Sequence, residues 1–164
     1  MESIALDATD LQLLDWLQRD ATLSNQTLAE RVHVSPPTCL RRVRRLREAG
    51  LIERQVAVLD THRLGALLGH GLSCIVEVSL DRQDAAALDA FEARAVADAE
   101  VQQCWRVSPG PDFVLVVHTR DMPGYLALSQ RLFTADANVR NVRAFFSTKR
   151  AKMDTRVALP LGET

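Results

Sequence analysis

The chain has 164 residues, 47% of them apolar and 25% charged, with a formal net charge of -1. That make-up excludes disordered and fibrous classes and fits one ordinary domain or two small ones. A charge near zero excludes a protein that coats nucleic acid indiscriminately, yet it leaves room for a local patch, because binding responds to the field at the contact surface. No run approaches the roughly 20 apolar residues that a membrane span needs. The acidic start MESIALDATD also lacks the basic and apolar blocks of a signal peptide. A cytoplasmic protein without a membrane partner is expected.

From Leu6 to Arg54 the pattern is helical. Leu11, Leu14, Trp16 and Leu17 recur at helical spacing behind the Asp/Thr-rich start DATD. Ser24 then precedes NQTLAERV, a helix of about two turns with Leu28, Ala29 and Val32 inward. His33, Val34 and Ser35 form a turn. Ser35 is suited to cap a third helix, Pro36 loses nothing at its first position, and Gly50 suits its left-handed end. LIERQVAVLD then reads as a strand or short hairpin, and DTHRLGALLGHG, with three glycines and no clear period, reads as a linker.

The remainder repeats one order of elements. LSCIVEVSL is strand-like, AAALDAFEARAVAD helical and VQQCWRV strand-like; DFVLVVHT, GYLALSQRLFTAD and VRNVRAFFST repeat the order. Asp81 and Asp121 mark the turn between strand and helix in each copy. Two such units predict a ferredoxin-like βαββαβ domain with two helices on one face of an antiparallel sheet. Ile75, Val114 and Phe145 would line the bare face, to be covered by a partner chain or by a lid from the linker or tail.

The third helix carries five arginines in the seven positions 41–47. On a wheel of about 100° per residue, Arg41, Arg42 and Arg45 share a face with Thr38, while Leu40, Val43 and Leu46 point to the core. Arg44 and Arg47 flank the stripe. Two helices joined by a short turn, the second with a cationic face, describe a helix-turn-helix, whose second helix enters the major groove. The alternative is a solvated helix face. Glu48 is the helix's single carboxylate, and so unbalanced a face favours DNA, with Arg41, Arg42 and Arg45 on groove and phosphate and Ser35, Pro36 and Thr38 placing the helix. A dimer would then require an inverted-repeat operator.

The run LDATDLQLLDWLQRDATLSNQTLAERVHVSPPTCLRRVRRLREAGLIE, with VEVSL, CWRVSPGPDFVLVV and VRNVRAFFSTKR after it, resembles the Lrp/AsnC regulators, the leucine- and asparagine-responsive transcription factors. The resemblance covers nearly the whole chain. It implies an α+β protein: an N-terminal winged helix-turn-helix over 1–54, a linker strand and loop over 55–71, and a ferredoxin-like amino-acid-sensing domain over 72–164. It also implies homodimers that assemble into octamers. An amino-acid effector would bind near VSPGPDF, where the family pattern runs serine-glycine, two variable residues, aspartate and an aromatic. Ser108, Asp112 and Phe113 fit that pattern; Pro109 replaces its glycine, and Gly110 and Pro111 follow. Asp112 would pair with an α-ammonium group, or else it caps the turn. By family position Met122, Thr134 and Ala135 also approach the pocket, with Phe145 and Phe146 as candidates for its apolar wall.

Nothing in the residues asks for catalysis or a metal. His33, His62, His70 and His118 are scattered, and GxSxG, P-loop and GxGxxG motifs are absent. Cys39, Cys74 and Cys104 fit neither a disulfide framework nor a metal site. Two further functions stay open at this stage: an architectural DNA-binding protein that ignores small molecules, and a regulatory ligand-binding subunit of an enzyme.

Overall fold

The computed structural model describes residues 4–69 and 71–161, and His70 and the side chain of His62 lie outside them. The chain divides into two units, one running to Val58 and resuming at Lys152, the other Leu59–Ala151.

Among the described residues the first unit holds three helices: α1 (Ala8–Arg19), α2 (Asn25–Arg31) and α3 (Pro36–Glu48). Their boundaries follow from local chemistry. Asp7 caps α1 by accepting from the Asp10 N–H at 2.9 Å, and Asp10 accepts in return from the Asp7 N–H at 3.2 Å. Ser24 caps α2 through the Thr27 N–H at 3.1 Å. The turn before α3 is the expected one, with His33 at a positive φ of 55°. Ser35 takes the N-cap position with Pro36 following, but its hydroxyl donates to the Thr38 Oγ1 at 2.9 Å instead of capping the backbone. After α3, Gly50 adopts the left-handed φ of 72° that ends the helix.

Leu13, Leu28, Ala29, Val32, Cys39, Val43 and Leu46 make the core of this unit, with Leu14, Trp16 and Leu17 packed against it. Leu40 is not among them: it is 61% exposed, and Cys39 takes the inward position at 0%. The expected strand at 51–60 does not form among the described residues. Val56, Val58 and Leu59 are 67%, 65% and 62% exposed, and a lone strand finds no neighbouring edge here to satisfy its backbone. Residues 152–161 pack onto this unit, where Gln18 grips the Val157 backbone twice. Its side-chain amide donates to the Val157 C=O and its carbonyl accepts from the Val157 N–H, both at 2.9 Å. The expected assignment of all of 72–164 to the second unit therefore stops short, at Ala151.

The expected linker at 60–71 is largely helical, as α4 (Thr61–Leu68). Asp60 accounts for its start, accepting from the Arg63 N–H at 3.0 Å, and Gly65 is tolerated inside it. The strands and helices that follow are β1 (Leu72–Leu80), α5 (Ala85–Ala97), β2 (Val101–Arg106), β3 (Phe113–Thr119), α6 (Met122–Ser129) and β4 (Val139–Phe146), with a π-helical turn at Gln130–Thr134 after α6. The four-stranded sheet has the order β2-β3-β1-β4, and its neighbours are all antiparallel. This is the ferredoxin-like arrangement.

Strand alternation sorts the two sheet faces. Cys74, Val76, Val78 and Leu80 of β1 and Phe113, Leu115 and Val117 of β3 point to the buried side, against Phe91, Ala95, Leu128, Leu132 and Phe133. Phe91 and Phe113 meet with ring centres 4.8 Å apart. The opposite face carries two cross-strand rows: Trp105–Val114–Glu77–Arg143 and Gln103–Val116–Ile75–Phe145. Ile75, Trp105 and Phe145 are 47%, 58% and 45% exposed, so this face lacks a cover among the described residues of the unit.

Candidate nucleic-acid interface

The centre of the helix-turn-helix is a carboxylate. Asp10 is wholly buried, and its Oδ1 accepts from Arg42 Nη1 at 2.9 Å while its Oδ2 accepts from Arg45 Nη2. Arg42 Nη1 also reaches Asp7 Oδ2 at 2.7 Å. Asp7 has its carboxyl held below the ordinary range, first by the Asp10 N–H and then by the Arg42 guanidinium. A buried carboxylate survives only when fully hydrogen-bonded, so these two arginines compensate Asp10 and tie α3 to the start of α1. Arg42 meets this demand at a cost, since its Nε is buried without a partner among the described residues.

The arginines thus divide. Arg42 faces inward and is committed to Asp7 and Asp10. Arg45 bonds Asp10 yet remains 47% exposed at its side chain, and Arg44 is 78% exposed and paired with Glu48 at 2.7 Å. Arg41 is exposed and borders a recess of about 240 Å³ with Asp7, Arg42 and Arg45. Because Cys39 rather than Leu40 sets the buried side, the outward pole of α3 turns by roughly 30° from its expected direction, toward Pro37, Arg41 and Arg44. Ser35 and Pro36 lie exposed at the helix start, and Thr38 is half-buried. Asp10 was legible only as the second half of the capping pair in LDATD; its role as counter-ion to the arginine run was not.

In the second unit the turn between β2 and β3 is knitted to β1 through Asp112. The Asp112 N–H donates to the Val78 C=O at 2.9 Å, its C=O accepts from the Val107 N–H at 3.0 Å, and its Oδ2 accepts from the Leu80 N–H at 2.7 Å. Ser108, Pro109 and Gly110 are exposed at the tip; the Ser108–Pro109 bond is cis and Gly110 has a φ of 125°, which a side chain would strain. Thr134 and Ala135 close the π-helical turn that leads to Val139, and Val139 pairs with Leu80, so these two lie at the same end of the sheet as Asp112. Met122 starts α6 after the other end of β3, seven residues away, or roughly 20 Å along the strand. One protomer therefore brings Ser108–Asp112 and Thr134–Ala135 to one end and leaves Met122 at the other. Phe146 stands edge-on to Tyr125 at 5.0 Å, and Phe145 lies on the open face.

Among the described residues no group of three or more His, Cys, Asp or Glu side chains is placed to hold a metal, and no helix is long and apolar enough to cross a membrane. Burial pushes the thiols of Cys39, Cys74 and Cys104 up, away from the thiolate form that a nucleophile needs.

A helix-turn-helix with an arginine-rich second helix, followed by a ferredoxin-like unit with an elaborated β2–β3 turn, defines a DNA-binding regulator of transcription. Residues 6–47 match the AsnC-type helix-turn-helix domain, and residues 73–157 match the Lrp/AsnC ligand binding domain. The chain is 37% identical over 149 residues to a leucine-responsive regulatory protein of Rhizobium meliloti, covering 91% of this chain and 93% of that one. It is 32% identical over 154 residues to the leucine-responsive regulatory protein of Escherichia coli K12, covering 94% and 92%. Among solved structures, a transcriptional regulator of Neisseria meningitidis in complex with L-Met superposes with a TM-score of 0.83 at 29% identity, over 95% of this chain and 98% of that one. The chain belongs to the Lrp/AsnC family of transcriptional regulators.

Proposed function

We propose that α3 lies in the major groove with Arg41, Arg44 and Arg45 toward bases and phosphates, that Ser35, Pro36 and Thr38 position its N-terminus, and that Arg42 acts mainly as the tie to Asp10. The observation that carries this is the split in the arginine run: Arg42 is half-buried against Asp7 and Asp10, Arg41 and Arg44 are exposed, and Arg45, though bonded to Asp10, keeps 47% of its side chain exposed. Guanidinium groups there can fork onto guanine or grip phosphate, and the recess beside Arg41 and Arg45 is open to an anion.

The protein acts as a homodimer that assembles toward an octamer. The uncovered sheet face supports this, since Ile75, Trp105 and Phe145 form an apolar patch of the sort a second copy covers. Two recognition helices then call for an inverted repeat with half-sites about 34 Å apart or a multiple of that. The effector is an amino acid held at Ser108–Asp112 with Thr134 and Ala135. Asp112 keeps Oδ1 for an α-ammonium group while Oδ2 is engaged by Leu80, and Met122 would reach such a pocket only from another copy. The L-Met bound by the Neisseria neighbour supports that ligand class.

Selection of duplexes from a random pool, at near-physiological salt and with or without pooled amino acids, tests both halves. The expected result is an enriched inverted repeat whose recovery changes with amino acids, and an affinity that falls steeply with salt. Enrichment that ignores every amino acid would replace the sensor with an architectural role. No enrichment at all would end the DNA-contact assignment.

A further inference from the structure

We infer that Leu40 is a specificity-determining residue that packs on the 5-methyl group of a thymine in each half-site; this rests on α3 being the groove helix. The inference starts from a mismatch between residue type and location. Val43 and Leu46 of α3 are 7% and 0% exposed, whereas Leu40 stands 61% in solvent. It is the fifth residue of α3, in the half of the helix whose side chains meet base edges when such a helix docks. Its neighbours on the exposed side are Pro37, Arg41 and Arg44, so an isobutyl group projects from an otherwise cationic and proline-capped surface.

The chemistry of the groove picks the ligand. Arginine reads guanine or phosphate and is indifferent to a methyl group. The thymine methyl is the apolar feature of the major-groove edge, and aliphatic side chains are its partners. Arg44, the arginine on Leu40's side, pairs with Glu48 at 2.7 Å, farther along α3 and away from Leu40, while Arg42 is held across the helix by Asp7 and Asp10. The side chain is thus presented rather than stored.

The test uses the full chain and a duplex it selects from a random pool. Each thymine is replaced in turn, symmetrically in both half-sites, by deoxyuridine, which removes the methyl and leaves the pairing edge unchanged. Anisotropy titrations at fixed salt give Kd for the native chain, Leu40→Ala, Leu40→Met and Arg44→Ala. At one thymine position the native chain is expected to lose about fourfold per half-site, the worth of one apolar methyl contact. Leu40→Ala should bind the thymine duplex correspondingly less well and show no further loss with deoxyuridine there. Leu40→Met, which keeps the reach, should retain the preference, and Arg44→Ala should weaken both duplexes equally. If no position discriminates, or if Leu40→Ala still discriminates as the native chain does, Leu40 does not read a methyl and its exposure serves a protein contact instead. A failure of the groove assignment is distinct: the chain would enrich no duplex, or Arg41→Ala and Arg44→Ala would leave Kd unchanged.

Discussion

Substituting Arg42 by alanine separates folding from recognition within one run of arginines. The change takes Nη1 from Asp10 Oδ1 at 2.9 Å and from Asp7 Oδ2 at 2.7 Å, while Arg45 keeps its hold on Asp10 Oδ2. Asp10 stays at 0% exposure with part of its compensation gone. Removing one partner from a buried pair costs about 3–5 kcal/mol, and the surviving Arg45 contact puts this case near 3 kcal/mol. For a unit of this size that corresponds to roughly 15 °C in Tm. The chain has two tryptophans, Trp16 against the core of the helix-turn-helix and Trp105 on the sheet, so fluorescence in a Trp105→Phe background follows the first unit alone. Arg41→Ala in the same background is expected to leave the transition within about 0.5 kcal/mol of the parent, as an exposed substitution does. Equal, small shifts for the two variants would refute the division of the arginines into a tie and a contact surface.

Two more outcomes follow from the same physical accounting. Arg131 donates to both oxygens of Asp98, at 2.6 and 2.9 Å, and this bonding holds the Asp98 carboxyl below its ordinary range. A carboxyl depressed in the folded state stabilises above its unfolded pKa and loses that contribution as pH falls through the folded value, so the Trp105 unfolding midpoint should drop below about pH 4 and Asp98→Asn should flatten the drop; an identical pH profile for the variant would remove Asp98 from the explanation. Gln18→Ala deletes both bonds to Val157, and tryptic cleavage after Lys152 and Arg156, followed by mass spectrometry, should accelerate about fivefold or more. Unchanged cleavage would mean that Gln18 does not hold that segment.

Where local chemistry decides the structure, the residues were legible. Ser24, Pro36 and Gly50 mark helix ends because capping, a missing N–H and a left-handed φ are properties of single positions. The central strands β1 and β3 were legible as apolar runs, and the open side with Ile75, Val114 and Phe145 follows from the two-residue period of a strand. Other features depend on what lies across the gap. Cys39 and Leu40 are adjacent on α3, and hydrophobicity alone favours the leucine for the core, yet it is the cysteine that joins the buried cluster with Leu13, Leu28 and Ala29. Residues 51–60 have strand-like composition, but a ladder needs a second edge. Residues 61–68 have two flanking signals, Asp60 at the start and Gly69 at a φ of 69° after the end, which outweigh the glycine inside. Of the candidate effector positions, the turn at 108–112 and the pair 134–135 converge, because the strand order folds those two loops to one end of the sheet. Met122 does not converge with them, since spacing along a sequence carries no information about which end of a strand a loop occupies.

The return of residues 152–161 to the first unit has a practical consequence. Topologically, the ferredoxin-like unit is an insertion into a discontinuous DNA-binding head. A groove of about 570 Å³ is lined jointly by Leu11, Leu14, Leu17 and Ile52 from the head and by Val157 and Leu159 from the returning segment. A fragment cut at Val58 would leave that apolar trough roofless and prone to self-association. Added back as a peptide, the missing strip would have to find it from solution instead of arriving on a tether, so an excised head made for binding studies is sounder when 152–161 is fused back onto it through a flexible spacer.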